Sequence, residues 1–285
     1  MPDTKAPAKK KRHGINPWVP NQHGAWPMVV IPVVLGTIVG LIGTNYLRPS
    51  QMLALLLTWV SWIIGYCCFF AAGLLLKARR RSNRGRYLKP TLVYGVISLL
   101  ALLGAVALFP QLLWWAIAFA PLVIIAVEEM WRGQPRSTLS GVATTIASAL
   151  VLPVTTALAY GNGHPAEVDW RTWASTFVIA AYFTGTVPYV KSMIRARGNK
   201  RYLKGSIAYQ VIAAAITMWA VLFVGMHWLP AGLMIGVMVW AVYRSIAVPR
   251  SADRGAVWTP ERVGKAEMPL NFVLIVAVIL AAILS

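Results

Sequence analysis

Acidic residues are scarce in this chain of 285 residues. It contains eight Asp and Glu but 27 Lys and Arg, which gives a net charge of +19. Charged residues of both signs make up only 12% of the sequence, about half of the share that soluble domains carry. Hydrophobic residues make up 58% and occur in long runs. A disordered chain and a soluble globular domain are both excluded, because neither accommodates this much apolar sequence.

Cysteine is also rare, since only Cys67 and Cys68 occur, side by side within an apolar run. Neighbouring residues point to different sides of a helix, so we expect no disulfide between them. The sequence contains no C-x-x-C pair, P-loop, G-x-S-x-G or H-E-x-x-H motif. A structural zinc site, nucleotide hydrolysis and serine- or zinc-protease chemistry therefore have no support.

Nine apolar runs are long enough to cross a bilayer as helices, which takes about 20 residues each. The sequence therefore predicts an all-α, polytopic membrane protein with nine transmembrane helices. A basic segment, 1–24, precedes a single transmembrane domain, 25–285. The predicted helices are 25–47, 52–76, 91–109, 111–131, 139–160, 173–192, 205–226, 228–246 and 269–285.

Basic residues fall almost entirely on one side of this predicted topology. Only Arg48 and Arg171 lie in connections on the other side, while Arg244, in the last turn of predicted helix 8, is counted with the basic residues between helices 8 and 9. Because cytoplasmic loops are enriched in Lys and Arg, the distribution predicts a cytoplasmic N-terminus and an external C-terminus, as for a multi-pass protein of a cytoplasmic (inner) membrane. Since orientation accounts for the charge, nucleic acid is not expected as a partner.

Two basic segments, 79–89 and 195–204, share one pattern, which is R-x-R, then Asn, then a basic residue and R-Y-L-K. They follow helices 2 and 6, as a parallel duplication of a four-helix unit would place them. Arginine binds phosphate and carboxylate groups through two parallel hydrogen bonds, so the pattern predicts a site for an anionic group. The alternative is that these loops only set orientation and attract anionic lipids, at about 1 kcal/mol per basic residue. The candidate binding residues are Arg80, Arg81, Asn83, Arg86, Tyr87, Lys89, Lys191, Arg195, Arg197, Asn199, Arg201, Tyr202 and Lys204.

Three further residues are candidates for catalysis at the mouth of such a site. His23 precedes helix 1 and can carry a proton or contact an anion, although an interfacial hydrogen bond is its commoner role. Glu128, near the end of helix 4, is a candidate base whose alternative role is an ion pair with Arg132. Tyr189 follows Pro188, which should bend helix 6 just before the second basic segment.

The motifs at 23–26 (H-G-A-W), 184–191 (T-G-T-V-P-Y-V-K) and 195–199 together resemble the YwiC-like family of bacterial membrane proteins, over most of 23–244. The helix count, with key cytoplasmic segments after helices 2 and 6, is also distantly similar to the UbiA superfamily of intramembrane prenyltransferases. That second resemblance implies a UbiA-like bundle. In the superfamily, an aspartate-rich motif in each of these segments holds Mg²⁺, which in turn holds a prenyl diphosphate.

This chain departs from the UbiA pattern at both motifs, because neither segment contains Asp or Glu. Protein-bound Mg²⁺ usually takes one or two carboxylate ligands, so a magnesium cofactor is not supported and no metal ligand is assigned. No catalytic aspartate can be carried over, and the cofactors stay unassigned. Arginine side chains can still stabilise an anion directly.

Three functions remain open on this basis, each with membrane lipids as expected partners. The first is a cytoplasm-facing site for an anionic isoprenoid such as a polyprenyl phosphate, or for another anionic amphiphile. As an enzyme, such a protein would be a divergent, metal-independent prenyltransferase-like transferase. The second is a transporter or flippase for lipids or anions. The third is a non-catalytic membrane assembly protein, in which the basic loops only set topology. None of these three functions predicts an oligomeric state.

Overall fold

The computed structural model describes residues 15–22, 24–78, 81–135 and 137–284, with the side chains of all of these except 81–83 and 260. Secondary structure in this part of the chain is entirely helical. Nine of its helices are long and apolar enough to cross a membrane, which confirms the predicted all-α fold with nine spanning segments. They are α1 Ala25–Ile42, α2 Pro49–Lys77, α3 Arg81–Leu108, α4 Ala116–Trp131, α5 Thr138–Tyr160, α6 Trp170–Ile194, α7 Lys200–Phe223, α8 Trp228–Asp253 and α9 Pro260–Ile283.

Several helices extend beyond the apolar runs that predict them. α3 begins at Arg81 rather than at 91, α8 continues to Asp253, and α9 begins at Pro260 rather than at 269. Hydropathy marks only the part of a helix that suits hydrocarbon, whereas the backbone hydrogen bonds continue through polar flanks. At the start of α9, the Thr259 hydroxyl accepts a hydrogen bond from the backbone N–H of Arg262 at 3.2 Å and caps the longer helix.

Helix 1 is predicted too long, whereas the fourth predicted span is confirmed at Pro110–Trp131 but begins with a 3-10 turn. α1 ends at Ile42 rather than at 47, and Gly43 follows as its C-cap. The run predicted at 111–131 is divided, because a 3-10 turn at Pro110–Trp115 precedes α4. The side-chain N–H of Trp115 donates to the backbone carbonyl of Gly163 at 2.8 Å, which fixes this turn to the connection between α5 and α6.

The most buried helices, α5 and α6, form the centre of the bundle. α5 packs against α1, α4 and α6, and α6 packs in addition against α7, α8 and α9. The main core lies between these helices and includes Leu152, Ile179, Met234 and Leu274. α3 packs chiefly on α2 and exposes much of its surface, as expected for a helix that faces lipid.

Close packing of α1 on α5 depends on small residues. A Cβ atom added to Gly36 would clash with the Leu152 carbonyl oxygen and the Thr155 hydroxyl. The Thr156 hydroxyl donates to the carbonyl of Gly36 at 2.9 Å, across the same contact. Small residues that let two helix backbones approach are the usual means of helix association in lipid. This contact anchors the N-terminal helix to the centre of the bundle.

Candidate intramembrane polar site

Five polar side chains from four helices lie in the interior of the bundle, and we call them the polar cluster: Tyr182 and Tyr189 of α6, Gln210 of α7, Arg244 of α8 and Glu267 of α9. None is more than 9% exposed. Glu267 lies about 10 Å along α9 from the first residue of the helix, at 1.5 Å per residue. The cluster therefore lies inside the bundle, nearer to the end where α6 ends and α7 begins. We call this end, which carries 195–204, the basic end.

Arg244 is held by a carboxylate and two aromatic rings. Its Nη1 atom forms an ion pair with Oε2 of Glu267, and the Tyr182 hydroxyl donates to that same oxygen at 2.7 Å. The guanidinium carbon lies 4.7 Å from the ring centre of Tyr189 and 5.2 Å from that of Tyr182. Contacts of this kind are cation–π interactions, which strengthen when the cation is desolvated. Helices α6, α8 and α9 are thus joined through one guanidinium group.

Some polar atoms of the cluster have no hydrogen-bond partner within the described residues. They are Nε and Nη2 of Arg244 and both side-chain amide atoms of Gln210. Buried polar groups are nearly always hydrogen-bonded, and leaving one unpaired costs about 1–3 kcal/mol, or more when it is charged. Because Nε and Nη2 share one edge of the guanidinium plane, they can donate together to two oxygens of a phosphate or carboxylate.

Gly185 provides the space for Gln210. Residues three and four apart lie on one face of a helix, so Tyr182, Gly185 and Tyr189 form a single face of α6. A Cβ atom on Gly185 would lie 2.6 Å from Nε2 of Gln210. The glycine therefore lets the Gln210 amide lie against the backbone of α6, between the levels of the two tyrosines that contact Arg244.

The structure corrects the placement of Arg244 and adds Glu267 to the site. Arg244 does not belong with the basic residues between helices 8 and 9, because α8 continues to Asp253 and Arg244 is buried within the bundle. Glu267 falls two residues before the apolar run that predicts helix 9, so sequence reasoning passed over it. The available signal was the scarcity of acidic residues, since Glu267 is one of only eight in the chain. Among the three catalytic candidates, Tyr189 belongs to the polar cluster.

Glu128 and His23 stand apart from this cluster. Glu128 forms the ion pair that the sequence offers as its alternative role, with Oε1 2.6 Å from Nη2 of Arg132 and both side chains more than half exposed. An exposed pair of this kind contributes little to stability. His23 lies outside the described residues, as do Arg80 and the side chains of Arg81 and Asn83.

The second basic segment joins three helices at the basic end. Nζ of Lys191 donates to the Thr138 hydroxyl at 2.8 Å and lies 5.5 Å from the ring centre of Tyr202. The hydroxyls of Thr138 and Tyr202 are hydrogen-bonded at 2.9 Å. Asn199 caps α7, because its side-chain oxygen accepts from the backbone N–H of Tyr202 at 3.0 Å. The shared pattern therefore has a structural role in this copy.

The two basic segments are helical at their R-Y-L-K ends, rather than loops throughout. Tyr87 lies near the start of α3, and Tyr202 lies in the first turn of α7. α3 packs mainly on α2, whereas α7 packs on α6 and α8, so different helices fix the two segments. Nη2 of Arg197 donates to the backbone carbonyl of Ala252 at 3.4 Å. The other candidate residues with described exposed side chains are Arg86, Lys89, Arg195, Arg201 and Lys204.

Changing Tyr202 to Phe removes the hydroxyl bonded to Thr138 and keeps the ring beside Lys191. We expect the free energy of unfolding to fall by about 1 kcal/mol, the usual net value of one hydrogen bond. Unfolding of the purified protein by SDS in mixed micelles measures this change. Tyr243→Phe, at an exposed position of α8, is the matched control and should leave the value unchanged; equal losses in the two variants would contradict the assignment.

Within the described part of the chain, no three His, Cys, Asp or Glu side chains come together as metal ligands. The chemistry that the polar cluster offers is therefore that of a guanidinium, a carboxyl, an amide and two phenols. Among the described residues, nine helices are long and apolar enough to cross a membrane and four of them contribute to this cluster, which defines a polytopic helical membrane protein with a polar site in its interior.

Comparisons with known proteins confirm the YwiC-like resemblance. The model of the family described as YwiC-like protein matches residues 19–156. "Uncharacterized protein YwiC" of Bacillus subtilis is 26% identical over 194 residues, which cover 68% of this chain and 74% of that protein. An "Uncharacterized protein" of Haemophilus influenzae is 24% identical over 203 residues, covering 70% and 76%. No solved structure matches the chain.

Proposed function

We propose that this protein binds the anionic headgroup of a lipid-like molecule within the membrane, with Arg244 as the residue that contacts the anion. One observation carries the proposal: the Arg244 guanidinium is buried, while its Nε and Nη2 atoms lack a hydrogen-bond partner among the described residues. Ionisable side chains inside a membrane protein are costly and usually mark a functional site. The planar edge that these two atoms form suits the oxygens of a phosphate or carboxylate.

The proposed ligand is an anionic amphiphile, and an isoprenoid phosphate is the class that we favour. An apolar tail keeps such a molecule in the bilayer, from which it can reach a site between helices. In this proposal the basic end faces the cytoplasm, and its Lys and Arg side chains concentrate anionic headgroups near the bundle before they reach Arg244. We also propose that the helices form a UbiA-like bundle and that the bound lipid takes part in a transfer reaction. No metal is assigned to either.

Farnesyl phosphate and farnesol test this proposal, because they share a tail and differ in the charged headgroup. We expect the purified protein to bind farnesyl phosphate at least about tenfold more tightly than farnesol, since charged hydrogen bonds contribute about 1.5–3 kcal/mol. Isothermal titration calorimetry in detergent measures both affinities. The preference should disappear in the double variant Arg244→Gln/Glu267→Gln, which removes both buried charges together.

Arg250→Gln is the matched control, because Arg250 lies on the same helix, α8, and is exposed. This variant should keep the preference for farnesyl phosphate. The proposal is overturned if the wild-type protein binds the two molecules equally, or if the double variant folds and still prefers the phosphate.

Transport is a second candidate function, favoured by polar groups elsewhere in the bundle. Ser206 and Thr217 of α7 are buried, and their hydroxyls have no partner within the described residues. Near the first residues of α6, a cavity of about 80 Å³ is lined in part by Asp169, Thr172 and Ser175. Reconstituted vesicles with a fluorescent farnesyl phosphate distinguish the candidates, since only a transporter moves the lipid between leaflets at a rate that depends on Arg244.

A further inference from the structure

The polar cluster contains one cation and one carboxyl group. Arg244 carries the positive charge, Glu267 is its ion-pair partner, and the other three members are two phenols and an amide. With Glu267 ionised, the pair is neutral overall. A singly charged anion, such as a sulfonate or the monoanion of a phosphate monoester, adds one negative charge to this buried site when it binds at the free edge of Arg244.

An uncompensated charge in a buried site is costly, and it is usually removed by a change of protonation. Protonation of Glu267 would restore neutrality, because the anion then replaces the carboxylate as the counter-charge of Arg244. The neutral carboxyl group can still accept the hydrogen bond from Tyr182 on its carbonyl oxygen. Nη1 of Arg244 can donate to the same oxygen, and the new O–H can donate to the bound anion, so neither member of the pair loses a hydrogen-bond partner in the exchange.

We infer that an anion and one proton bind together at this site, with Glu267 as the proton acceptor. The inference rests on the proposed function. The proton comes from the solvent and forms the O–H bond of Glu267, while the anion arrives with its charge unchanged. The net charge of the site is the same before and after, so binding, and any movement of the anion that follows, is electroneutral.

Glu267 is the proton acceptor of the cluster, because the titratable groups that face it are phenols and a guanidinium. α9 packs against α1, α6 and α8. The described span of α1, Ala25–Ile42, contains no titratable side chain. α6 contributes Tyr182, and Tyr189 lies on the Arg244 guanidinium that α8 contributes.

Other charged side chains near the start of α9 have partners of their own. Nζ of Lys265 pairs with Oε1 of Glu261 at 2.7 Å, and both side chains are largely exposed. The Arg262 guanidinium carbon lies 4.8 Å from the ring centre of Trp258, and Nη1 donates to the carbonyl of Val257 at 2.9 Å. These three residues thus have contacts other than the buried pair, so we assign a proton taken up inside the bundle to Glu267.

Proton uptake is measured by titrating farnesyl sulfonate into the wild-type protein in two buffers with different ionisation enthalpies. A sulfonate keeps one negative charge between about pH 5 and pH 9, so the probe itself neither gains nor loses a proton. At a pH where Glu267 is ionised without ligand, we expect uptake close to one proton per bound sulfonate. The dissociation constant should then rise about tenfold for each unit of increasing pH, because deprotonation of Glu267 opposes binding.

Glu267→Gln provides the second readout, since its side chain is neutral at every pH. The variant should bind farnesyl sulfonate with no proton uptake and with an affinity that does not depend on pH. Binding to the wild-type protein with uptake near zero overturns this inference and leaves the anion site standing. If neither farnesyl sulfonate nor farnesyl phosphate binds, the anion site is refuted, and the proton coupling with it. The wild-type titration decides the matter even if the variant does not fold.

Discussion

Replacing Arg244 by Gln should lower the free energy of unfolding by about 3–5 kcal/mol. The substitution leaves the Glu267 carboxylate inside the bundle without its cation, and breaking a buried ion pair from one side typically has a cost of that size. The two tyrosine rings also lose the charge that they enclose. Reversible unfolding by SDS in mixed micelles measures the change against the wild-type protein.

The double variant Arg244→Gln/Glu267→Gln separates loss of the pair from loss of packing. Because no unpaired charge remains, we expect it to be more stable than Arg244→Gln alone, which a double-mutant cycle reports as a coupling energy. Arg250→Gln, on the exposed side of the same helix, should change the free energy of unfolding by less than about 0.5 kcal/mol. A single variant as stable as the wild-type protein would show that Arg244 is not in a buried pair.

Replacing Gly36 by Ala should have the next largest effect, a loss of about 1–3 kcal/mol in the free energy of unfolding. The new methyl group would meet backbone and hydroxyl oxygens of α5, which have little freedom to move. The hydrogen bond from Thr156 to the Gly36 carbonyl would be lost or lengthened as α1 moved outward. The same unfolding measurement applies.

Gly232→Ala is the matched control for that prediction. A Cβ atom at Gly232 in α8 would have no atom within 4 Å, so alanine meets no steric obstacle there. Alanine also favours helix over glycine by about 1 kcal/mol in soluble peptides, so this variant should be as stable as the wild-type protein or more so. If Gly36→Ala proved equally harmless, α1 and α5 would not be in close contact.

Hydropathy was sufficient to predict the number and order of the spanning helices, because each apolar run had to satisfy its own backbone hydrogen bonds in lipid. It could not predict where each helix ends. The residues that extend α8 to Asp253 and start α9 at Pro260 are polar and depend on caps such as Thr259. That error concealed the site, because Arg244 then fell in the last turn of predicted helix 8 and Glu267 fell two residues before predicted helix 9.

Short-range patterns predicted one residue of the polar cluster, Tyr189, and two residues that make contacts outside it, Glu128 and Tyr202. Glu128 and Arg132, four residues apart, form the expected helical pair. Tyr189 and Tyr202, taken from the motifs before and within the second basic segment, both make specific contacts in the structure. The meeting of Gln210 with Gly185 depends on how α6 and α7 pack, and no short-range pattern in the sequence determines that contact.

The proposed site lies outside the residues that the YwiC-like family model matches. The family model matches residues 19–156, which end within α5, whereas the polar cluster comes from α6, α7, α8 and α9. The first five helices supply the close contact of α1 with α5. The last four supply the buried charges, so experiments on function are best directed at these four helices.

A cryo-EM structure of the protein in lipid nanodiscs with farnesyl phosphate tests the central claim most directly. The account predicts phosphate density within hydrogen-bonding distance, about 3 Å, of Nε and Nη2 of Arg244, with the farnesyl chain leaving between helices toward the lipid. Phosphate held only at the basic end, by side chains such as Arg197 and Arg201, would contradict it. So would an Arg244 that keeps Glu267 as its sole partner while the lipid is bound elsewhere.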